Sequence, residues 1–351
     1  MKIDSHVHLA DPSALVPAGS GRRAGRVNLH LRRMIARTFA EEGTPGATGD
    51  DLGGRWTACL ANWVRHSSLD RAVVLALDAV YDESGHRNDS DTVLSVDNEF
   101  VYRTTRTHPE LLYGASIHPY RKDAMAALER AAECGACLVK WIPSAQGIDP
   151  GNPRCREFYE GLAHFGLPLL SHTGVEHALG TRRTGYNHPR KLTAALEAGV
   201  TVIAAHCGVH LFLHEPSYFG AWAKMAKEYP NFHGDLSAFP IMTRVRYARR
   251  VFRDEVLRRK VLYGSDFPAM PSPLWCWQLG LKKMFCYRRI RNPLERNLTV
   301  MRALGMPDEV FGNATSVFNI SPATGRSAAQ RTALQCAPDT SGRNSNAHAE
   351  A

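Results

Sequence analysis

Short apolar stretches alternate with longer amphipathic ones along most of the chain. From residue 110 onward, each amphipathic stretch ends at glycine or proline, and a short apolar strand follows with a polar residue at its end. The starts of these strands lie about 25 to 33 residues apart, which is the length of one strand–helix unit. With two earlier strands, the sequence predicts eight: KIDSHVHL (2–9), DRAVVLALDA (70–79), LLYGASIHP (111–119), ACLVKWIP (136–143), LPLLSHTG (167–174), VTVIAAHCG (200–208), NFHGDLSAF (231–239) and KVLYGSDFP (260–268).

This alternation favours an α/β protein built on a parallel sheet. Eight such units in about 320 residues predict a closed (β/α)8 TIM barrel. An open doubly wound sheet is the alternative, and it would place a glycine fingerprint directly after the first strand. GSGRRAG (19–25) has that spacing, but it lies ten residues past the strand in a loop rich in proline and glycine. We interpret it as chance composition.

Two segments fall outside the repeat. Residues 10–68 form an insertion after the first strand, with helices predicted around 27–42 and 51–66. Because this insertion leaves the C-terminal end of a barrel strand, we expect it to cover the active site. Residues 322–351 lack aromatic residues and periodicity and are predicted to be a disordered tail. The barrel domain is therefore predicted to span residues 1–321.

The composition, 44% hydrophobic and 22% charged, is typical of a soluble globular protein. The sequence has neither a membrane span nor a signal peptide, so we predict a cytoplasmic protein with reduced cysteines and no membrane partner. The formal charge is +9, and arginines cluster at 243–260 and 287–292. Such clusters can mark a nucleic-acid site. Because Asp254 and Glu255 interrupt the longer run, we interpret both clusters as solvated helix faces and expect no nucleic-acid partner.

Polar side chains stand at the predicted C-terminal ends of five strands, the face on which barrel enzymes carry their chemistry. These residues are His6, His8, Lys140, His172, His206 and Asp266. His6 and His8 point the same way, because side chains alternate along a strand with period two. Imidazole and carboxylate are the ligands that zinc prefers. An open position on such a metal would hold water and lower its pKa toward about 7. The sequence therefore predicts a divalent metal site with hydrolytic chemistry.

These motifs, taken in order, resemble the amidohydrolase superfamily. The resemblance rests on DSHVHL, the histidines of LLSHTG and AAHCG, the aspartate of LYGSDFP and the closing helix DEVFGNATSVFNI (308–320). It is strongest to the amidohydrolase-related branch, which contains metal-dependent hydrolases and enzymes like aminocarboxymuconate-semialdehyde decarboxylase. It covers about residues 1–320. TatD-type DNases share several motifs, but their strand-4 glutamate segment is missing here, where CLVKW stands instead.

The resemblance implies a role for each matched position. The ligands of a mononuclear zinc site would be His6, His8, His172 and Asp266. His206 would orient the reactive water or the substrate, and Asp266 would also serve as general base. Lys140 matches the bridging carbamylated lysine of binuclear members. In that case the centre would hold two ions, with His172 and His206 binding the second.

Three functions remain open from the sequence. The leading hypothesis is a hydrolase that cleaves a C–N or C–O bond (amide, lactone or ester) of a small, anionic substrate. The alternative is a lyase, either a non-oxidative decarboxylase or a hydratase, on the same zinc site. Because arginine binds carboxylates bidentately, we expect Arg182 or Arg183, in the loop after strand 5, to contact the substrate. The third hypothesis, a binding protein with a structural metal, fits an open rim site poorly. The sequence leaves the oligomeric state open.

Overall fold

The computed structural model describes residues 1–9, 52–179 and 183–320. Within them, eight parallel strands follow one another around the sheet in sequence order, as predicted. The strands are β1 (Ile3–His8), β2 (Arg71–Leu75), β3 (Leu111–Ala115), β4 (Leu138–Trp141), β5 (Leu169–His172), β6 (Val202–Ala205), β7 (Phe232–Asp235) and β8 (Val261–Leu262). The first and last strands close the barrel through backbone bonds from Ser5 N to Tyr263 O (2.9 Å) and from His8 N to Phe267 O (2.7 Å). The chain is a TIM barrel.

Helices lie between the strands. They are α1 (Leu52–Arg65), α2 (Asn98–Thr107), α3 (Ala124–Glu133), α4 (Pro143–Gln146), α5 (Arg156–Phe165), α6 (Thr193–Glu197), α7 (Phe219–Glu228), α8 (Met242–Arg253), α9 (Glu255–Arg259), α10 (Leu281–Arg288), α11 (Pro293–Ala303) and α12 (Val310–Val317). Helix α1 confirms the helix predicted at 51–66, and α12 confirms the closing helix. The helix predicted at 27–42 and the tail 322–351 lie outside the described residues.

The strands are buried because they pack between the barrel interior and the surrounding helices. Trp141 of β4, for example, is fully buried and packs on Phe158 and Tyr159 of α5, with ring centroids 5.5 and 5.8 Å apart.

The predicted strands were too long at their C-terminal ends, where the chain leaves the sheet. The apolar stretch KVLYGSDFP contributes only two strand residues, and the rest forms a loop above the barrel. The polar strand ends of the sequence therefore stand on this C-terminal face.

The arginine-rich segment at 243–260 forms α8 and α9, and most of its arginines face solvent, as predicted. Arg244 is the exception, since only 5% of its surface is exposed. None of the helices in the described ranges is long and apolar enough to cross a membrane.

Candidate metal centre and active site

Closure of the barrel brings His6, His8 and Asp266 together. His6 and His8 project from the same face of β1, and Asp266 N donates to His6 O (3.0 Å). Gly264 allows this close approach, because a Cβ there would lie 3.0 Å from the Cβ of His6. Asp266 itself has a φ of 64°, a left-handed conformation that non-glycine residues rarely adopt. Strain of this kind is concentrated at functional sites, so the backbone supports a role for this carboxylate.

The donor atoms of these three residues match the spacing of metal ligands. His6 Nε2 lies 3.1 Å from His8 Nε2, and Asp266 Oδ1 lies 3.5 and 3.4 Å from these two nitrogens. Tetrahedral ligands bound at 2.0–2.1 Å to zinc lie about 3.3 Å from one another. The triad therefore forms three corners of a tetrahedral site without moving, and its two imidazoles and one carboxylate are ligands that zinc accepts.

Asp235, at the end of β7, orients His6 and was missed in the sequence. Its Oδ2 accepts a hydrogen bond from His6 Nδ1 (2.7 Å), and its Oδ1 accepts from His206 N (2.8 Å) and Ser237 N (3.1 Å). Burial alone would raise the pKa of Asp235, but its contact with His6 holds that pKa well below the ordinary value. A proton on His6 Nδ1 leaves the lone pair of Nε2 directed at the triad, which is the arrangement that metal-binding histidines use.

His172 and His206 stand beside the triad without being part of it. The ring of His206 stacks on His6 (centroids 5.6 Å apart) and lies edge-on to His172 (5.0 Å). Burial lowers the pKa of His172 to about 4, so its imidazole is neutral, and its buried Nε2 has no hydrogen-bond partner among the residues that the structure describes. His206 Nδ1 faces Ser237 O at 3.0 Å, and His206 also adopts a left-handed φ of 60°. The unpartnered nitrogen of His172 is suited to a ligand absent from the structure.

Lys140 is buried with its amine against the triad. Its Nζ lies 3.1 Å from His6 Nε2, and 1% of the residue is exposed. Burial lowers the pKa of Lys140 to about 8, although the carboxylates of Asp235, Asp266 and Glu176 act in the opposite direction. A low pKa increases the fraction of neutral amine, which is the form that can react or accept a proton.

A cavity of about 610 Å³ opens above these residues. Its floor includes His6, His8, Lys140 and Asp266, whereas most of its wall is apolar. The apolar wall residues are Leu9, Leu75, Leu77, Leu94, Val96, Ile142, Val175, Ala178, Leu179, Leu211, Phe212, Ala238, Ile241, Pro268, Ala269, Met270, Pro271 and Trp275. A volume of this size and a mostly apolar lining are typical of small-molecule sites.

Of the two arginines predicted to contact substrate, the structure describes one. Arg182 lies outside the described residues. Arg183 is exposed, donates to the hydroxyl of Tyr186 and is not among the residues that line the cavity. Among the described residues, the arginine that lines the cavity is Arg244, which we predicted from the sequence to lie on a solvated helix face.

Comparison with known proteins assigns the chain to a family. Residues 3–284 match the amidohydrolase family model, so the chain belongs to the amidohydrolase family. None of the curated proteins matches the sequence.

Solved structures share the fold at low sequence identity. An uncharacterised TIM-barrel protein from Bordetella bronchiseptica has a TM-score of 0.55 and 16% identity, covering 86% of this chain and 99% of its own. A proposed 2-pyrone-4,6-dicarboxylic acid hydrolase from Pseudomonas putida has a TM-score of 0.54 and 16% identity, covering 91% and 97%. A 5-carboxyvanillate decarboxylase from Sphingomonas paucimobilis has a TM-score of 0.52 and 13% identity, covering 91% and 99%. At these identities the likeness supports the barrel fold alone.

Proposed function

We propose that this protein is a zinc-dependent hydrolase that cleaves a C–N or C–O bond, in an amide, lactone or ester, of a small anionic substrate. The observation that carries the proposal is the triad of His6, His8 and Asp266 on the floor of a mostly apolar cavity. His172 would complete the ligand set with its unpartnered Nε2. The similarity to a proposed 2-pyrone-4,6-dicarboxylic acid hydrolase is consistent with a lactone as substrate.

A bound zinc ion would supply Lewis acidity, polarising a carbonyl oxygen and lowering the pKa of water. The side chains of the chain perform the remaining steps. Asp266 accepts the proton that the attacking water loses, because its carboxylate lines the cavity and is 14% exposed. Asp235 keeps the proton on His6 Nδ1 and so fixes the ring of His6. His206, held by its contact with Ser237 O, orients the substrate from the β6 side.

We propose that the site holds one metal ion and that Lys140 is not carbamylated. The proximity of Lys140 Nζ to His6 Nε2 places the amine next to the proposed ligands, where it could donate a hydrogen bond to an oxygen of the substrate. Carbamylation of Lys140 would instead create a bridging ligand for two ions. Elemental analysis of protein purified without chelator and with bicarbonate distinguishes the two. About one equivalent of zinc is expected, and about two would replace this assignment with a binuclear centre.

The proposed function is tested by replacing Asp266 with Asn. Hydrolysis would be measured with 2-pyrone-4,6-dicarboxylate and a panel of lactones and N-acyl amino acids. Loss of the general base is expected to lower kcat by about 10²–10⁴-fold with the fold intact. Asp254→Asn is the matched control, because Asp254 caps α9 away from the cavity and should leave turnover unchanged. Near-normal turnover in Asp266→Asn would show that this mechanism is wrong.

A non-oxidative decarboxylase on the same site is the second candidate. The observation that favours it is the buried guanidinium of Arg244 in a mostly apolar wall, an environment that suits an aromatic acid. The similarity to a 5-carboxyvanillate decarboxylase is consistent with such a substrate. Carbon dioxide release from 5-carboxyvanillate and related acids, in the absence of any hydrolysis, would replace the hydrolase assignment with this one.

A further inference from the structure

Arg244 is a buried cation without an ion-pair partner among the described residues. It lies in the first turn of α8, on the β7 side of the cavity, and 5% of it is exposed. Its Nε donates to His210 O (3.1 Å), and its Nη1 makes long contacts with Ser237 O (3.5 Å) and Ala238 O (3.4 Å). Within the described ranges, no carboxylate lies within salt-bridge distance of its guanidinium. Backbone carbonyls therefore satisfy part of the fork, while the carboxylates that attract its charge, those of Asp266, Asp235 and Glu215, lie beyond salt-bridge distance.

This arrangement is costly to the free protein. Burying a charge with no carboxylate in contact is unfavourable unless a partner is supplied. The other arginines of α8 avoid the cost, since Arg246, Arg249, Arg250 and Arg253 are all exposed. Because Arg244 lines the cavity, a ligand can supply the missing negative charge there.

The surroundings of Arg244 define the shape and charge of that ligand. Ser237 O faces both Arg244 Nη1 and His206 Nδ1, so the guanidinium is linked to the candidate metal centre through one carbonyl. Apolar side chains flank it in the cavity wall, among them Leu211, Ala238 and Ile241. Glu176 and Asp266 also line the cavity, so a single doubly charged group, such as a phosphate, would meet repulsion at this end.

We propose that Arg244 anchors the carboxylate of the substrate, and that the substrate is a monocarboxylate at this end with a flat, unsaturated or aromatic body. This assignment rests on the proposed function for the reacting end of the molecule, but the binding of the carboxylate does not depend on turnover. The planar fork of arginine matches a carboxylate bidentately, and the apolar wall accommodates the ring. Arg244, rather than the exposed Arg183, then selects for the anion.

Calorimetric titration with benzoate tests the proposal on the protein as purified, with its metal content measured. Arg244→Met is expected to weaken benzoate binding by about 10–100-fold, the loss for removing a charge-assisted pair. Arg244→Lys keeps the charge but lacks the planar fork, so it should show an intermediate loss of benzoate affinity. It replaces Arg244→Met as the test variant if Arg244→Met does not fold. Arg249→Met, an exposed position on the same helix, is the matched control and should bind benzoate normally.

Two further measurements separate recognition of the anion from a structural role. Benzamide, the neutral isostere, should bind wild type and Arg244→Met equally. Benzoate should raise the Tm of wild type but not that of Arg244→Met. The proposal is overturned if wild type does not bind benzoate at millimolar concentration or if Arg244→Met binds benzoate normally. It is also overturned if Arg244→Met loses as much affinity for benzamide as for benzoate, or if wild type binds phenyl phosphate more tightly than benzoate. Loss of benzoate binding in Arg244→Met, together with no hydrolysis by wild type, would support this proposal and reject the hydrolase alone.

Discussion

Replacing Asp235 with Asn should weaken zinc binding through His6, a proposed metal ligand that the substitution itself leaves in place. The two oxygens of Asp235 have different partners: Oδ1 accepts from the backbone N–H groups of His206 and Ser237, and Oδ2 accepts from His6 Nδ1. In the Asn variant the amide oxygen must stay with the two N–H donors. The amide NH₂ therefore faces His6 Nδ1, which has to become an acceptor.

The consequence is a change of tautomer. With its lone pair on Nδ1, the ring of His6 carries its proton on Nε2, the atom that lies 3.1 Å from His8 Nε2 in the proposed metal site. Either His6 stops binding zinc, or the Asn flips and leaves its backbone donors facing an NH₂ group. Loss of such an orienting partner typically lowers metal affinity by about 10–100-fold, or about 1.4–2.7 kcal/mol.

The assay is competition for zinc between the protein and a chromophoric chelator. Asp78→Asn is the matched control, because Asp78 is also a buried carboxylate that accepts from two backbone N–H groups, those of Ala79 and His118. It contacts none of the proposed ligands, so we expect lower stability but unchanged zinc affinity. Wild-type zinc affinity in Asp235→Asn, or an equal loss in Asp78→Asn, would refute the tautomer argument.

Two further predictions concern stability. Gly234→Ala should lower the free energy of unfolding by about 1–3 kcal/mol in urea titrations, because its Cβ would lie 2.8 Å from the ring of Trp222. Gly220→Ala, in α7 with open space around it, should instead raise it by about 0.5–1 kcal/mol, and equal effects would contradict the packing argument. Burial lowers the pKa of His118 to about 4 from 6.5, so the unfolded chain binds the proton more readily between these values and stability falls as the pH falls. This residue should contribute a loss of about 2 kcal/mol between pH 7 and 5, and His118→Gln should remove that part of the pH dependence; an unchanged pH dependence would contradict it.

Local sequence patterns sufficed to predict the barrel and part of the candidate site. The spacing of apolar stretches predicted all eight strands. Each strand–helix unit buries its own apolar face, so apolar stretches recur along the sequence at the length of one unit. The period of two along β1 placed His6 and His8 on one side. The rule that polar side chains end the strands would also have identified Asp235 in NFHGDLSAF, had it been applied to the seventh strand.

The position of Arg244 on the cavity wall could not be predicted from its neighbours in the sequence. In the sequence it is one of several arginines in a basic run, and such runs are usually solvated. Its spacing of four and seven residues from Ala248 and Val251, both buried, was the available signal that it shares their face of α8. The spacing could not show that this face borders a cavity, or that none of the described carboxylates contacts the guanidinium there.

The sequence by itself determined the order of strands and helices and the residue types at the strand ends, because hydrophobic period and turn chemistry act over neighbouring residues. Tertiary structure decided the geometry of the site. Closing the barrel onto β1 set the distances of 3.5 and 3.4 Å from Asp266 to His6 and His8, and the end of β7 supplied the oxygen that orients His6. These contacts join residues more than 200 positions apart, and their distances depend on barrel packing that no local pattern encodes.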